Sequence, residues 1–381
     1  MTEPLAGFTI GITAARRADE LATLLERRGA RVVHAPALRL LPLADDAELR
    51  RISRDCLAAP PDVVVATTGI GFRGWIEAAE GWGIGAALLD ALGRARLLAR
   101  GPKARGAVRA AGLPDPWSPA SESSGELLEH LLGGAPAGTR IAVQLHGQPL
   151  PDFVDALRCA GAEVLEVPVY RWTAPADPAA LEQLLDAVCA GEVDAVTFTS
   201  APAVAGTLAL AAERGRREAL LDALAGPVLA ACVGPVTSGP LADLGIAPVV
   251  PPRYRLGALV RALCEALPRR RPVLPVAGRS LQLRGHAALV DGTLRPLAPQ
   301  ARVLLAALAE RPGRVVSRRA LADALAAAAP GRAVDEHAVE QAVARLRAAL
   351  GAADLVQTVI KRGYRLPLEP MEDAPRCTAR R

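Results

Sequence analysis

The sequence is poor in the residues that build metal, redox and membrane sites. Its 381 residues include six cysteines without a CxxC pair and five histidines without metal-ligand spacing. We therefore expect buried, reduced thiols and no bound metal. No apolar run approaches the ~20 residues that cross a bilayer, and the N-terminus has the pattern of a strand rather than of a signal peptide. These features predict a cytoplasmic protein that has no membrane partner.

Net charge divides unevenly between two parts of the chain. Residues 1–268 hold 25 Lys+Arg against 30 Asp+Glu, a net charge of −5, whereas residues 269–381 hold 20 against 10, a net charge of +10. A basic segment on a mildly acidic body is typical of proteins in which that segment meets a polyanion. A basic surface that is merely solvated is the alternative.

An internal repeat organises residues 1–268. Two segments, one beginning GFTIGIT and the other GTRIAVQ, each predict a strand, an amphipathic helix, a glycine turn and a second strand. One constant offset places Gly29 on Gly161 and Asp62 on Asp194. Near-continuous apolar strands alternate with helices, as a parallel sheet covered on both faces requires. The sequence therefore predicts two similar α/β lobes.

Each repeat places a hydroxyl pair after one buried strand and a Gly-Pro turn after another. The hydroxyl pairs are Thr67-Thr68 and Thr199-Ser200, and the turns begin at Gly101 and Gly234. The carboxyl ends of parallel strands, where helix N-termini offer free amides, are where anionic ligands bind. We expect a cleft between the lobes that these loops line. The alternative is that the hydroxyls are simple N-caps and the glycines simple turns.

Together these segments resemble the uroporphyrinogen-III synthases, enzymes that close the linear tetrapyrrole hydroxymethylbilane and invert its last ring. The resemblance covers roughly residues 5–268 and is carried by GFTIGITAARR, DVVVATT, VDAVTFTSAPAV, VPVYRW and CVGPVTSGPLADLGIAPVV. It implies an α/β fold of two flavodoxin-like lobes with parallel sheets, joined by a two-stranded hinge near residues 36–42 and 166–173. One lobe would hold residues 1–36 with 173–268, and the other residues 42–166.

The resemblance also implies a site. Its substrate would be hydroxymethylbilane or another polycarboxylate tetrapyrrole, and the family needs no cofactor. Tyr170 stands where the family keeps a tyrosine that faces the cleft, and we assign it as the catalytic residue that helps the substrate hydroxyl depart. The candidate substrate-binding residues are Thr67, Thr68, Gly101, Lys103, Thr199, Ser200, Gly234 and Thr237.

A different architecture follows a predicted linker at residues 269–279. Residues 280–368 predict short antiparallel strands turned at Asp291-Gly292, then three helices and a C-terminal hairpin. The expected helix caps are Ser317, Asp335 and Gly351. This order of elements predicts a winged helix-turn-helix domain.

Residues 280–368 resemble the OmpR/PhoB-type output domain of response regulators, on the segments VDGTLRPLAPQARVLLAAL, GRVVSRRALADAL, VDEHAVEQAVARLRAAL and TVIKRGYRL. The resemblance implies that double-stranded DNA is a partner and that the third helix enters the major groove. Its residues near base edges or phosphate would be Val339, Gln341, Ala342, Arg345 and their neighbours. The candidate DNA-binding residues are Arg318, Arg319, Gln341, Arg345, Arg347, Lys361, Arg362 and Tyr364. The tail, residues 369–381, is expected to be disordered.

Two positions depart from the synthase pattern. Ala104 stands where a threonine is usual, and the loop at residues 145–152 lacks the usual arginine. Lys103 and Arg105 are candidates to pair with substrate carboxylates instead. Two hypotheses follow. The chain is either a synthase with a DNA-binding regulatory appendage, or a transcription regulator whose degenerate synthase lobes sense a tetrapyrrole or another ligand.

Overall fold

The computed structural model describes residues 2–43, 47–147, 149–328 and 334–368. The first elements in chain order are β1 (Thr9–Ile12), α1 (Ala18–Glu26), β2 (Arg31–His34), β3 (Arg39–Pro42), α2 (Ala47–Ala58), β4 (Val63–Ala66), α3 (Gly69–Gly81), α4 (Gly85–Gly93), β5 (Arg96–Ala99), α5 (Pro102–Ala110), α6 (Ser124–Gly133), β6 (Arg140–Gln144), α7 (Pro151–Cys159), β7 (Glu163–Val167) and β8 (Tyr170–Thr173). They are followed by α8 (Ala179–Cys189), β9 (Ala195–Phe198), α9 (Ala201–Glu213), α10 (Arg217–Ala225), β10 (Leu229–Cys232), α11 (Pro235–Ala242) and α12 (Leu256–Arg269). The last are β11 (Val273–Val276), β12 (Arg279–Arg284), β13 (Ala287–Val290), β14 (Thr293–Pro296), α13 (Pro299–Ala309), α14 (Arg318–Ala327), α15 (Glu336–Leu350), β15 (Gln357–Val359) and β16 (Gly363–Arg365).

The described residues fall into two compact units, and the chain crosses between them after Leu38 and after Ala174. The first unit contains a parallel sheet ordered β10-β9-β1-β2, and the second contains a parallel sheet ordered β5-β4-β6-β7. We call the first sheet with its helices lobe 1, and the second unit lobe 2. Each sheet takes two strands from each sequence repeat. The predicted pair of duplicated α/β lobes is therefore confirmed.

A two-stranded hinge joins the segments where the chain enters and leaves lobe 2. β3 pairs antiparallel with β8, from Arg39 opposite Thr173 to Pro42 opposite Tyr170. This pair matches the two strands expected near residues 36–42 and 166–173. The cleft expected between the lobes, and the domain limits drawn from the sequence, stay predictions.

The backbone repeats as closely as the sequence does. Gly29 (φ +87°) and Gly161 (φ +86°) both take the left-handed conformation after the first helix of their repeat, where a side chain would be strained. Thr68 and Ser200 both cap a helix, since each side-chain oxygen accepts a hydrogen bond from the backbone N–H three residues further on. The two loops thus have the same construction at the carboxyl ends of β4 and β9.

The cysteines only partly match the expectation of buried thiols. Cys56 and Cys232 are buried, and burial raises the pKa of their thiols to about 11 and about 12. Cys189 and Cys264 are half-buried, and Cys159 is exposed because it ends α7 beyond the apolar face of that helix. All five are free thiols, and Cys377 lies outside the described residues. None of the helices within the described ranges has the length and apolar character that spanning a membrane demands.

The C-terminal module, residues 273–368, has the predicted winged-helix elements. An antiparallel sheet ordered β11-β12-β13-β14 precedes three helices and the β15–β16 hairpin. Asp291 (φ +48°) and Gly292 (φ +78°) form the expected hairpin turn. The caps are also confirmed, because the side chains of Ser317 and Asp335 accept backbone hydrogen bonds and Gly351 ends α15 with φ +69°.

The predicted linker at residues 269–279 is wrong. Helix α12 continues to Arg269, and Val273–Val276 form β11, which pairs with β12. Pro275 is compatible with this strand because β11 is an edge strand of its sheet. Val276 is fully buried in the module core. The expected disordered tail, residues 369–381, lies outside the described residues.

Lobe 1 and the module share a buried junction around Arg284. This β12 side chain is 6% exposed, its Nη1 donates to the carbonyl of Ala6 at 2.9 Å, and its guanidinium lies 5.3 Å from the ring centroid of Phe8. Its Nε donates to Gln282 Oε1 at 3.0 Å, and the amide of Gln282 donates to the carbonyl of Arg271 at 2.7 Å. The guanidinium is therefore hydrogen-bonded to both sides of the junction.

Asp194 is the buried anion of the same junction. It directly precedes β9, is 3% exposed, and accepts hydrogen bonds from the N–H of Thr9 at 2.9 Å and from Arg271 at 3.1 Å. Burial raises the pKa of Asp194, and these two hydrogen bonds oppose that rise. A Cβ at Gly285 would lie 1.9 Å from Asp194 Oδ2, so only glycine lets the β12–β13 turn approach so closely.

The junction lies at the amino edge of the lobe 1 sheet. Ala6 and Phe8 precede or border the start of β1, and Asp194 precedes β9. Because the strands are parallel, their carboxyl ends all lie at the opposite edge. The module is therefore attached away from the edge at which ligands of such sheets bind.

Replacing Arg284 with Met should lower the free energy of unfolding of the first unit by about 1–3 kcal/mol, because the carbonyl of Ala6 and the amide oxygen of Gln282 would lose a buried donor. Urea unfolding followed by circular dichroism measures the change. Arg311→Met, at an exposed arginine of the module, is the matched control and should stay within about 0.5 kcal/mol. Equal losses in the two variants would contradict the junction as described.

Candidate functional site

Thr67 and Thr68 follow β4 at the carboxyl edge of lobe 2, and Gln144 holds both. Its Oε1 accepts from the N–H groups of Thr67 at 3.1 Å and Thr68 at 3.0 Å, and its Nε2 donates to Thr68 Oγ1 at 3.2 Å. The Thr67 hydroxyl donates to the carbonyl of Gln144 at 2.6 Å, and Thr67 is 4% exposed. The Thr67 hydroxyl is thus used inside the lobe, which corrects its assignment as a substrate ligand.

Tyr170, the predicted catalytic residue, is fixed at the same edge. Its hydroxyl lies 3.4 Å from Thr68 Oγ1, and its ring meets Trp172 edge to face with centroids 5.7 Å apart. Gly147 (φ +90°) closes this contact from the loop after β6, because a Cβ there would come within 2.4 Å of Trp172 and 2.7 Å of Tyr170. With 5% exposure, Tyr170 has a packed ring and a hydroxyl in a setting of low polarity.

Two side chains that the sequence analysis missed lie at the same edge. Arg100 directly follows β5 and is half-buried, and its guanidinium forms no hydrogen bond or salt bridge with any residue that the structure describes. His146 lies two residues after β6, and its buried Nδ1 has no hydrogen-bond partner in the described ranges. Burial and then the charge of Arg100 lower the pKa of His146 to about 4, so the imidazole is neutral near pH 7.

The next turn of lobe 2 begins helix α5. Gly101 is its N-cap residue, Lys103 is exposed in its first turn, and Ala104 is 2% exposed. Arg105 is bound to Asp115 through Nε at 2.7 Å and also through Nη2. Lys103 therefore remains a candidate ligand group, whereas the proposed compensation by Arg105 is contradicted by this ion pair.

Lobe 1 presents the equivalent turns. Ser200 caps α9, and in the described part of the chain no acceptor takes the backbone N–H of Thr199 or Ser200. Gly234 is the N-cap residue of α11, and Thr237 in the first turn is 5% exposed. Tyr254 lies beside Gly234 with 63% of its surface exposed. This edge offers free amides next to an aromatic side chain, and sequence reasoning missed Tyr254.

The two edges differ in chemistry although their backbones match. Three positions are polar in lobe 2 and apolar in lobe 1, and the pairs are Arg100 and Val233, Lys103 and Val236, and His146 and Ala15. Val236 is 82% exposed. At these three positions lobe 2 therefore offers two cations and an imidazole, whereas lobe 1 offers aliphatic side chains. Across the described ranges, no three His, Cys, Asp or Glu side chains are grouped so that a metal ion could be held.

Helix α15 of the module buries two residues that were expected at DNA. Val339 and Ala342 are 0% and 3% exposed in the module core, so their expected place near base edges is wrong. Gln341 and Arg345 are exposed on the other face of the helix, and Arg345 donates to Gln300 at 3.1 Å. Those two side chains keep their candidate role.

Arg347 and Tyr364 brace the C-terminal hairpin. Arg347 donates to the carbonyl of Val356 through Nη2 at 2.6 Å and Nε at 3.0 Å, and to Thr358 Oγ1 at 2.7 Å. Tyr364 is 4% exposed, and the guanidinium groups of Arg318 and Arg347 lie 5.5 Å and 5.8 Å from its ring centroid. The assignment of Arg347 and Tyr364 as DNA contacts is therefore corrected, because both side chains are used within the module.

The hairpin tip carries two exposed basic side chains. Lys361 (φ +59°) and Arg362 are exposed at the turn, next to Ile360 with 82% exposure. Arg319 is exposed at the start of α14, whereas Arg318 pairs with a carboxylate of α15 at 3.2 Å. The tip thus combines two cations with an exposed aliphatic side chain.

Both parts of the chain match models of known protein families. Residues 19–261 match the family model described as uroporphyrinogen-III synthase HemD, and residues 292–366 match the one described as transcriptional regulatory protein, C terminal.

The chain is 29% identical over 269 residues to "Uncharacterized protein YjjA" of Bacillus subtilis, covering 70% of this chain and 98% of that protein. It is 30% identical over 251 residues to "Putative uroporphyrinogen-III synthase" of Methanothermobacter thermautotrophicus, covering 66% and 95%. A crystal structure of a mutant uroporphyrinogen III synthase from the bacterium Thermus thermophilus is 33% identical, covers 67% of this chain and 98% of that one, and superposes with a TM-score of 0.55. The chain belongs to the uroporphyrinogen-III synthase family and carries, fused to that domain, a C-terminal winged-helix domain of the transcriptional-regulator type.

Proposed function

We propose that this chain converts hydroxymethylbilane to uroporphyrinogen III and binds double-stranded DNA through its module. The observation that carries the enzymatic part is the pairing of Tyr170 with Thr68. In a chain of this family, the two hydroxyls lie 3.4 Å apart at the carboxyl edge of a parallel sheet. The exposed cations of the hairpin tip support the DNA-binding part.

The proposed chemistry requires positioning more than acid or base strength. The hydroxyl on the first ring leaves with a proton as water, while the pyrrole nitrogen supplies the electrons that form an azafulvene. The substituted carbon of the last ring attacks this electrophile, and the resulting spiro intermediate fragments and recloses. Tyr170 donates a hydrogen bond to the departing hydroxyl, and its buried setting strengthens that bond. The lobes hold the carboxylates and exclude premature closure to the unrearranged isomer.

A second candidate function is ligand sensing without turnover. Ala104 replaces a hydroxyl at the start of α5, and Arg105 is bound to Asp115 instead of being available to a carboxylate. Lobes that bind a tetrapyrrole without converting it would make the module a ligand-controlled DNA reader. The same binding residues serve both functions, so only the product distinguishes them.

Purified protein supplied with hydroxymethylbilane should form uroporphyrinogen III above the spontaneous background, measured by chromatography of the oxidised porphyrins. Tyr170→Phe should lower kcat by about 10-fold or more, because the hydrogen bond to the departing oxygen is lost. Tyr364→Phe is a matched control in the module and should keep the parent rate. Accumulation of only the type I isomer would favour the sensing function, and an undiminished rate in Tyr170→Phe would remove Tyr170 from the mechanism.

DNA affinity should fall steeply with salt and should depend on the hairpin tip. Replacing Lys361 and Arg362 with Ala should reduce the slope of log K against log salt concentration by about 1.8, because two phosphate contacts are lost. Fluorescence anisotropy with duplex DNA at several salt concentrations measures the slope. Arg253→Ala with Arg255→Ala removes the same charge from exposed positions of lobe 1 and should leave the slope unchanged. An unchanged slope in the variant with Lys361 and Arg362 replaced would contradict phosphate contact by the hairpin tip.

A further inference from the structure

We propose that Arg100 and His146 form a carboxylate-binding subsite on lobe 2, which holds one acetate or propionate group of the tetrapyrrole. This inference rests on tetrapyrrole binding as part of the proposed function and adds the residues that recognise the charged side chains. Both residues lie just past the ends of β5 and β6, the two strands on either side of β4, at the edge that also carries Thr68 and Tyr170.

Arg100 is a partly desolvated cation that forms no salt bridge within the described residues. Burial lowers the pKa of its guanidinium, and the carboxylate of Glu122, which lies near Gly101, opposes that shift without pairing directly with Arg100. Removing a guanidinium from water costs free energy unless hydrogen-bonded anions replace the water. A planar fork of donors in this situation matches a carboxylate in geometry and in charge.

His146 supplies the neutral half of the subsite. Its Nδ1 is buried without a hydrogen-bond partner in the described ranges, and a buried polar atom left in this way has lost its bonds to water without replacement. The loop around it is held firmly, because Trp172 Nε1 donates to the carbonyl of His146 at 3.2 Å and Gly147 packs against both aromatic rings. A ring nitrogen fixed in this position can bond a ligand oxygen without adding a charge.

The duplicated architecture shows that this pair is not required by the fold. Lobe 1 has the same turns with Val233 in place of Arg100 and Ala15 in place of His146. The backbone geometry is kept in both lobes, for Gly101 and Gly234 differ by 1° in φ (−169° and −170°). A structural role in the turns would have been expected in both repeats. The pair is specific to lobe 2, as expected of residues that serve a ligand.

Equilibrium binding of porphyrins, measured by quenching of porphyrin fluorescence with the full chain, tests the subsite. Uroporphyrin III carries eight carboxylates and coproporphyrin III carries four, so the ratio of their Kd values reports recognition of the charged side chains. Arg100→Met should weaken uroporphyrin III binding about 10-fold or more, since a charge-assisted hydrogen bond is lost, and should bring the two Kd values closer together. Arg100→Lys should recover part of the affinity, and His146→Gln should lose less than Arg100→Met.

Two controls separate the subsite from general charge and from misfolding. Arg109→Met removes the same charge from an exposed position of α5 and should leave both Kd values unchanged. The His146 ring, followed by NMR titration, should have a pKa above about 4 in Arg100→Met, because the nearby positive charge that disfavours its protonation is gone. A folded Arg100→Met protein is thereby identified independently of ligand binding.

The outcomes distinguish the subsite from the proposed function. If Arg100→Met and Arg109→Met bind uroporphyrin III equally well, or if the parent chain binds it no better than coproporphyrin III, the subsite is wrong even when type III isomer is produced. If the parent chain forms only type I isomer yet binds uroporphyrin III in an Arg100-dependent way, the subsite stands and the enzymatic function is wrong.

Discussion

The structure of the first unit depends on one buried polar junction. Asp194, Arg271 and Arg284 lie where the amino edge of the lobe 1 sheet meets the β12–β13 turn of the module. Buried charges are tolerated only when hydrogen bonds replace the lost water, and here backbone groups of Thr9 and Ala6 supply them. The junction therefore accepts one relative placement of lobe 1 and module, and it leaves the carboxyl edge of the sheet to ligands.

Duplication explains both what the two lobes share and where they differ. The repeated glycine turns, the capping hydroxyls and the Gly-Pro helix starts are demanded by the backbone and are kept in both lobes. The backbone does not constrain the side chains that project from the carboxyl edge, so they can differ between the lobes. Lobe 2 has cations and an imidazole there, and lobe 1 has the exposed side chains of Val236 and Tyr254.

Local signals in the sequence predicted the features that depend on few residues. The Asp291-Gly292 turn, the caps at Ser317 and Asp335, and the stop at Gly351 need only particular residues at particular places. The sequence also predicted the duplicated lobes, because the strands of a covered parallel sheet are continuously apolar. It did not predict β11, since a strand containing proline after an arginine-rich stretch has the composition of a linker until its edge position is known.

The side chains that were misassigned are those whose partners are distant in sequence. Arg347 and Arg105 are of the residue type that often binds ligands at a protein surface. In the structure, however, Arg347 donates to the carbonyl of Val356 and Arg105 donates to the carboxylate of Asp115. Conversely, Arg100 and His146 are ordinary in sequence. The structure distinguishes them by their shared edge of lobe 2, where His146 Nδ1 is buried without a hydrogen-bond partner in the described ranges and Arg100 is half-buried without a salt bridge there. The alignment of the two repeats already showed that Arg100 and His146 are replaced by apolar residues in lobe 1. That difference indicates a ligand-binding role only when the structure shows that both positions lie at the same edge of the sheet.

The Asp194–Arg284 junction makes lobe 1 and the module one body. Residual dipolar couplings of backbone amides, measured by NMR on the full chain, test this most directly. We predict that one alignment tensor fits the amides of β1, β9 and β12 together with those of α15. Two distinct tensors, one for lobe 1 and one for the module, would contradict it.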